Sequence, residues 1–95
     1  MFGVFFEGRL LRPSASAYGE MEELALSLDD MKNVLENGFD CPASRRKQGT
    51  LERCLREGNK VVRVVVAEDY TVSLEEPAWV VVHASRQSWK KKLER

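Results

Sequence analysis

The candidate catalytic residues are His83 and Arg46. His83 is the one histidine of the chain, and imidazole is the side chain that gains and loses a proton near neutral pH. In a ribonuclease it could take the proton of a 2′-hydroxyl group or protonate the leaving oxygen. With no second histidine, the other group would be an arginine, a lysine or a carboxylate, and Arg46 or its neighbour Arg45 could stabilise the charge of a phosphorane-like transition state. A histidine that ends an apolar segment also fits a structural role, and both interpretations stay open.

Basic residues are concentrated in two segments, residues 43–60 and residues 84–95, each with a net charge of +4. If folding brings both segments to one face, they could bind nucleic-acid phosphates, because lysine and arginine neutralise the backbone charge and release counterions. The alternative is that they are solvated charges of a loop and a tail. The candidate nucleic-acid-binding residues are Arg45, Arg46, Lys47, Arg53, Lys90, Lys91 and Lys92.

Cys41, Cys54 and His83 belong to the residue types that bind zinc, and they are weak candidates for a metal site. Their spacing matches no zinc knuckle, so we expect no metal and no cofactor. Two cysteines cannot hold a domain of this size together as in disulfide-rich secreted proteins. We therefore expect a cytoplasmic protein with two free thiols, of which Cys41, in a loop, reacts faster than Cys54.

The composition is that of one globular domain, residues 1–95. Hydrophobic residues make up 43% and charged residues 32%, which argues against a disordered chain. The 15 basic and 15 acidic residues cancel, which argues against a protein that is basic over its whole surface. No apolar run approaches the roughly 18 residues of a membrane helix, and we expect neither a membrane partner nor a signal peptide. No motif of a nucleotide-cofactor enzyme, a zinc protease or a serine hydrolase is present.

Hydrophobic periodicity predicts the elements that position these residues. We expect a strand within residues 3–11 and then two amphipathic helices between about residues 15 and 37. One bent helix is the alternative, but Ser27 followed by two aspartates is typical of a second helix start. Residues 50–56 fit a strand or a helix, and the glycine turn that follows them favours a strand. Further strands are expected over residues 61–67 and 78–84, and a short basic helix over residues 85–95.

This order predicts an α+β fold in which a two-helix layer covers one face of a sheet. The sheet would consist of the N-terminal strand and a three-stranded antiparallel meander, with the short C-terminal helix packed on the body. Val65 is expected in the core, where an introduced charge should unfold the domain. Arg63, the one charge within its strand, is expected to reach an edge, a partner or solvent.

Besides the order of elements, five short motifs carry a resemblance to a known family: Val34–Gly38, Arg45–Gly49, Leu51–Cys54, Gly58–Val66 and Trp79–His83. They resemble the RelE-like superfamily, which includes the RelE, ParE and BrnT toxins, and in particular an uncharacterised domain family beside BrnT. The resemblance implies a RelE-like fold, an antitoxin-like protein partner, and either messenger-RNA cleavage or gyrase poisoning. The histidine that BrnT-type chains carry early in the first helix is missing, since residues 14–18 read Ser-Ala-Ser-Ala-Tyr.

Together these observations predict a small RelE/BrnT-like protein that binds RNA and is a candidate endoribonuclease of the toxin type. The alternative is a non-catalytic interaction module, whose acidic helix face around Glu20, Glu22 and Glu23 meets a basic protein partner. Either function is compatible with a monomer or a homodimer.

Replacing Arg45, Arg46 and Lys47 together with alanine should weaken RNA binding to a similar degree for all sequences, because phosphate contacts carry no sequence information. Binding isotherms at several salt concentrations should show a salt slope that is smaller by about 2 units, at roughly 0.7 per neutralised phosphate of a single strand. If the wild-type protein has no RNA affinity at about 50 mM salt, where such contacts are weakly screened, the RNA-binding prediction is wrong.

Overall fold

The computed structural model describes residues 3–41, 49–69 and 78–88. These residues form six strands and two helices. The elements in chain order are β1 (Phe5–Phe6), β2 (Arg9–Pro13), α1 (Ala15–Leu24), α2 (Leu28–Asn37), β3 (Phe39–Asp40), β4 (Thr50–Glu57), β5 (Lys60–Asp69) and β6 (Ala78–Ser88).

The six strands form one sheet in the order β1-β2-β6-β5-β4-β3. The strands β4, β5 and β6 are antiparallel neighbours, and β5 pairs with β6 along its whole length, from Lys60 opposite Ser88 to Asp69 opposite Ala78. The strand β2 lies parallel to β6, because α1 and α2 intervene between β2 and the later strands. The sheet is therefore mixed, with β5 and β6 at its centre.

Both helices begin at a serine that caps free backbone N–H groups. The Ser14 hydroxyl accepts a hydrogen bond from the Ala17 N–H at 3.1 Å. Ser27 and Asp30 form a reciprocal capping box, in which each side chain accepts from the other residue's N–H. Between the helices Ala25 adopts the left-handed conformation, with φ of 57°, and ends α1. The predicted pair of helices that separates near Ser27 is confirmed.

The core lies between the helices and one face of the sheet. Alternate residues of β5 point to this face, and Val64 and Val66 are 0% exposed. Leu35 of α2 is 1% exposed within the same cluster. Gly38 allows α2 to approach β4, since a Cβ atom there would overlap the carbonyl oxygens of Val34 and Cys54. The other large, fully buried members of the core are Leu11, Met31, Val62 and Val81.

The predicted three-stranded meander with a C-terminal helix is wrong. Residues 85–88 continue β6 as a strand, because the long β5 offers hydrogen-bonding partners up to Lys60 and this pairing overrides local helix propensity. The remainder of the predicted helix, including Trp89 and Leu93, lies outside the described residues.

Two short strands were also missed. Glu7 and Gly8 both have positive φ, 51° and 75°, as a tight hairpin turn requires, so the N-terminal segment forms β1 and β2 rather than one strand. The strand β3 pairs with β4 through Phe39 and Asp40. The strands predicted over residues 50–56, 61–67 and 78–84 are present, with longer bounds for β4, β5 and β6. None of the helices in the described residues is long and apolar enough to cross a membrane.

Val65 does not lie in the core, because it is on the face of β5 opposite Val64 and is half-buried. Val64→Asp should therefore unfold the protein, since an unpaired charge in an apolar core costs several kcal/mol. Val65→Asp should remain folded with a smaller loss of stability. Urea denaturation measures the free energy of unfolding of both variants. If Val64→Asp were the more stable of the two, the assignment of Val64 to the core face and Val65 to the opposite face would be wrong.

Candidate functional site

The face of the sheet opposite α1 and α2, called here the distal face, carries a group of polar side chains. Among the rows of residues that strand register places on this face across β4, β5 and β6, two adjacent rows carry this group. Neighbours within a row are close enough for their side chains to interact. The first row is Cys54, Arg63 and Ser85, and the second is Glu52, Val65 and His83.

A β-bulge determines where His83 lies. Val65 is opposite His83, but the next residue, Val66, is opposite Val81, so Val82 is an extra residue in β6. A bulge bends the strand and re-aims the side chains beside it. Ala84 remains on the core face, 2% exposed, while the side chain of His83 is 43% exposed. The imidazole is thus accessible although it follows the apolar run of β6, in which Ala78, Trp79 and Val81 are buried.

The edge of β6 beyond Val81 faces α1 instead of a strand. The strand β2 pairs with β6 only as far as Pro13 opposite Val81, because Pro13 is followed by the cap of α1. The Ser14 N–H donates to the Val81 carbonyl at 2.9 Å and closes this junction. From there α1 runs beside the edge of β6.

Glu20 of α1 reaches this edge with both carboxylate oxygens. Its Oε1 accepts a hydrogen bond from the Ala84 N–H at 3.0 Å, and its Oε2 lies 3.1 Å from His83 Nδ1. The first contact satisfies a backbone donor that a neighbouring strand would otherwise satisfy. The second orients the imidazole: when Nδ1–H donates to the carboxylate, Nε2 is the atom that can accept a proton. This is the carboxylate–histidine arrangement found where histidine acts as a base.

Arg63 and Glu52 form an ion pair beside this arrangement. Glu52 is the one buried charged residue in the described part of the chain, 7% exposed, and its carboxylate contacts Arg63 Nε. A buried carboxylate is tolerated when it is paired in this way. The side chain of Arg63 is 43% exposed. This agrees with the expectation that the single charge of this strand reaches an edge, a partner or solvent. Guanidinium carries further N–H donors beyond Nε, so this cation can bind an anion that reaches the distal face.

Of the predicted basic residues, the described part of the chain includes only Arg53, which does not lie on the face that carries His83. Arg53 lies on the helix-facing side of β4, where its Nε is 3.4 Å from Asp40 Oδ1. This interaction joins β4 to β3 and directs Arg53 away from the distal face. The remaining candidates lie outside the described residues, namely Arg45, Arg46, Lys47, Lys90, Lys91 and Lys92.

The prediction of two free thiols is wrong, since Cys41 and Cys54 form a disulfide. Phe39 pairs with Cys54, and Cys41, two residues further along, lies beside β4 with its Cα atom 5.4 Å from that of Cys54. The disulfide packs with Val61 in a small apolar cluster. Disulfides are typical of oxidising compartments, so the cytoplasmic location stays a prediction.

Cys41, Cys54 and His83, the candidate metal ligands, do not form a metal site. The two sulfur atoms are bonded to each other and cannot act as thiolate ligands. Over residues 3–41, 49–69 and 78–88, no group of three potential metal ligands converges.

Sequence reasoning identified His83 but assigned no role at this site to Glu20, Arg63 or Glu52. Glu20 was visible only as part of an acidic helix, and no local signal marks its contact with a strand residue 63 positions later. A stronger signal was available for Arg63, a single charge within a run of valines.

Comparison with protein-family models, with curated proteins and with solved structures finds no match. The resemblance to RelE-like toxins therefore stays a prediction, and functional argument for this chain rests on its own residues.

Reducing the Cys41–Cys54 disulfide should lower the free energy of unfolding by about 3 kcal/mol, the chain-entropy value for a loop of this size. At about 4–8 °C per kcal/mol for a domain of this length, the melting temperature should fall by more than about 10 °C. Thermal melts with and without dithiothreitol measure the change. The double variant Cys41→Ala/Cys54→Ala serves as the control and should not respond to the reductant. Identical melting curves for the wild-type protein under both conditions would contradict the prediction.

Proposed function

We propose that this protein binds single-stranded RNA on the distal face and cleaves it, with His83 as the proton-transfer group. The observation that carries the proposal is the 3.1 Å contact between Glu20 and His83 Nδ1 on an accessible part of β6. It supplies an oriented imidazole, which is the requirement for a general base.

The proposed reaction is transesterification within the RNA. His83 Nε2 takes the proton of a 2′-hydroxyl group, and the 2′-oxygen attacks the adjacent phosphorus. The bond from phosphorus to the 5′-oxygen breaks, that oxygen takes a proton from water, and His83 releases its proton to the resulting hydroxide. The products are a 2′,3′-cyclic phosphate and a 5′-hydroxyl, so no metal or external oxidant is required.

Arg63 supplies the positive charge that this reaction needs. It is a diagonal neighbour of His83 across the β5–β6 ladder, since Arg63 faces Ser85 and Val65 faces His83. Diagonal neighbours have Cα atoms roughly 7–8 Å apart, within the combined reach of an arginine and a histidine for one phosphate group. In the proposal Arg63 takes the role that the sequence suggested for Arg46, which is stabilisation of charge on the phosphoryl oxygens.

The basic segments support binding. Arg45, Arg46 and Lys47 precede β4 in the chain, and Lys90, Lys91 and Lys92 follow β6. These are the two strands on either side of β5, the strand that carries Arg63. We expect their contribution to be affinity for the backbone rather than chemistry.

His83→Ala should reduce the cleavage rate at saturating RNA by roughly 10²–10⁴-fold, the range for loss of a general base, while RNA affinity changes little. The assay follows a labelled single-stranded RNA and identifies the cyclic phosphate end. A substrate with a 2′-deoxy sugar at the cut position should not react, because it has no attacking hydroxyl group. Gln87→Ala is the matched control, since Gln87 is exposed on the same face of β6.

Glu20→Gln separates an oriented base from a structural histidine. Glutamine retains an oxygen that can accept from the Ala84 N–H, but the amide nitrogen in place of Oε2 cannot accept from His83 Nδ1–H, so the contact that orients the imidazole is lost. The variant should melt close to the wild-type temperature and cleave more slowly. Cleavage that survives in His83→Ala at the wild-type rate, or that proceeds on the 2′-deoxy substrate, would show that His83 is not the base.

A further inference from the structure

An apolar groove lies on the other side of the molecule, where α1, the turn after it and the start of α2 meet. Its volume is about 290 Å³. Met21 and Leu26 form its apolar wall, and Tyr18 extends over it with 55% of its surface exposed. The remaining lining residues are Pro13, Glu22, Ser27 and Leu28.

The left-handed residue Ala25 ends α1 beside this groove. Leu26 and Leu28, which follow it, line the groove together with Met21. Tyr18 and Glu22 are four residues apart on α1 and therefore lie on the same side of the helix. An exposed aromatic ring beside an apolar recess is typical of protein-binding surfaces.

The surroundings of the groove are acidic. The helix α1 carries three glutamates and no basic residue, and α2 carries Asp29, Asp30 and Glu36 against one lysine. Glu22 lines the groove, and Asp29 and Asp30 directly follow the lining residue Leu28. A neutral chain with a helical layer of net charge −5 presents a local negative field, which attracts a cationic partner.

We infer that this groove binds a cationic segment of another protein. One large apolar side chain of that segment is inserted into the groove, and its neighbouring basic side chains pair with Glu22, Asp29 and Asp30. The volume is at the lower limit for small-molecule sites, which favours a side-chain anchor over a cofactor. Two identical helical layers would repel each other, which disfavours a symmetric contact between two copies through this surface. The inference is independent of RNA cleavage, because the groove shares no residue with the Glu20–His83 site.

The experiment uses a synthetic helical peptide of leucine and lysine, and a second peptide in which glutamine replaces every lysine. Binding is followed by chemical shifts of the full-length ¹⁵N-labelled protein. The lysine peptide should bind at the groove, with shifts centred on Tyr18 and Met21, and should bind at least about 10-fold more tightly than the glutamine peptide. Equal affinities for the two peptides would overturn the inference of a cationic partner.

Variants locate the interaction. Tyr18→Ala should weaken binding of the lysine peptide about 10-fold or more, as loss of a central aromatic contact does, and the exposure of Tyr18 makes a folding defect unexpected. Glu22→Lys should also weaken it, whereas Glu36→Lys should not. Glu36 offers the same charge reversal about 12 Å further along α2 from Leu28. Equal losses for Glu22→Lys and Glu36→Lys would mean non-specific attraction and overturn the inference.

Sedimentation of the protein without peptide tests whether a second copy of this chain occupies the groove. A dimer that Tyr18→Ala dissociates would assign the groove to a second copy of this chain and overturn the inference of a different partner. RNA cleavage provides an independent measurement, because Tyr18→Ala should leave its rate unchanged. Loss of peptide binding and loss of cleavage are thus separate outcomes.

Discussion

The pairing of β5 with β6 is the interaction on which the rest of the structure depends. It extends from Lys60 to Asp69 and contributes the centre of the sheet. On one side of this ladder, Val64 and Val66 form the floor of the core under the helices. On the other side, the same ladder places Arg63 and His83 on the distal face. Core and candidate site are therefore two faces of one pair of strands, and a change of register by one residue would exchange them.

Two irregularities convert this ladder into a site. The bulge at Val82 allows His83 to lie on the distal face while Ala84 remains in the core. The end of β2 at Pro13 leaves the adjacent edge of β6 to α1, and Glu20 occupies it. One carboxylate thus completes the hydrogen bonding of an edge and orients an imidazole. Stability and the proposed chemistry are coupled through Glu20, which is why a glutamine substitution is more informative than alanine.

The two faces of the molecule differ in charge and in the partner they favour. The helical layer combines an apolar groove with an excess of acidic groups. The distal face combines an exposed arginine with an oriented histidine, and basic segments adjoin the strands that form it. The acidic helical layer would repel a polyanion, and the proposed RNA site lies on the other face. The proposed RNA site and the proposed site for a cationic protein segment therefore lie on opposite sides of the sheet.

Local sequence patterns determined the helices and the three long strands. The Ser27 capping box, the valine run of β5 and the glycine turn at Gly58 each depend on neighbouring residues, and each was correctly interpreted. The α+β prediction of a three-stranded meander with a terminal helix was wrong, since Ser85–Ser88 adopt the conformation imposed by a distant partner strand.

Only the tertiary structure decided the site. Glu20 meets His83, Glu52 meets Arg63, and Cys41 bonds to Cys54 because strand register, a bulge and the end of β2 bring them together. The physical reason is that side-chain propensities act over a few residues, whereas these contacts join elements whose relative positions are set by the packing of the whole core.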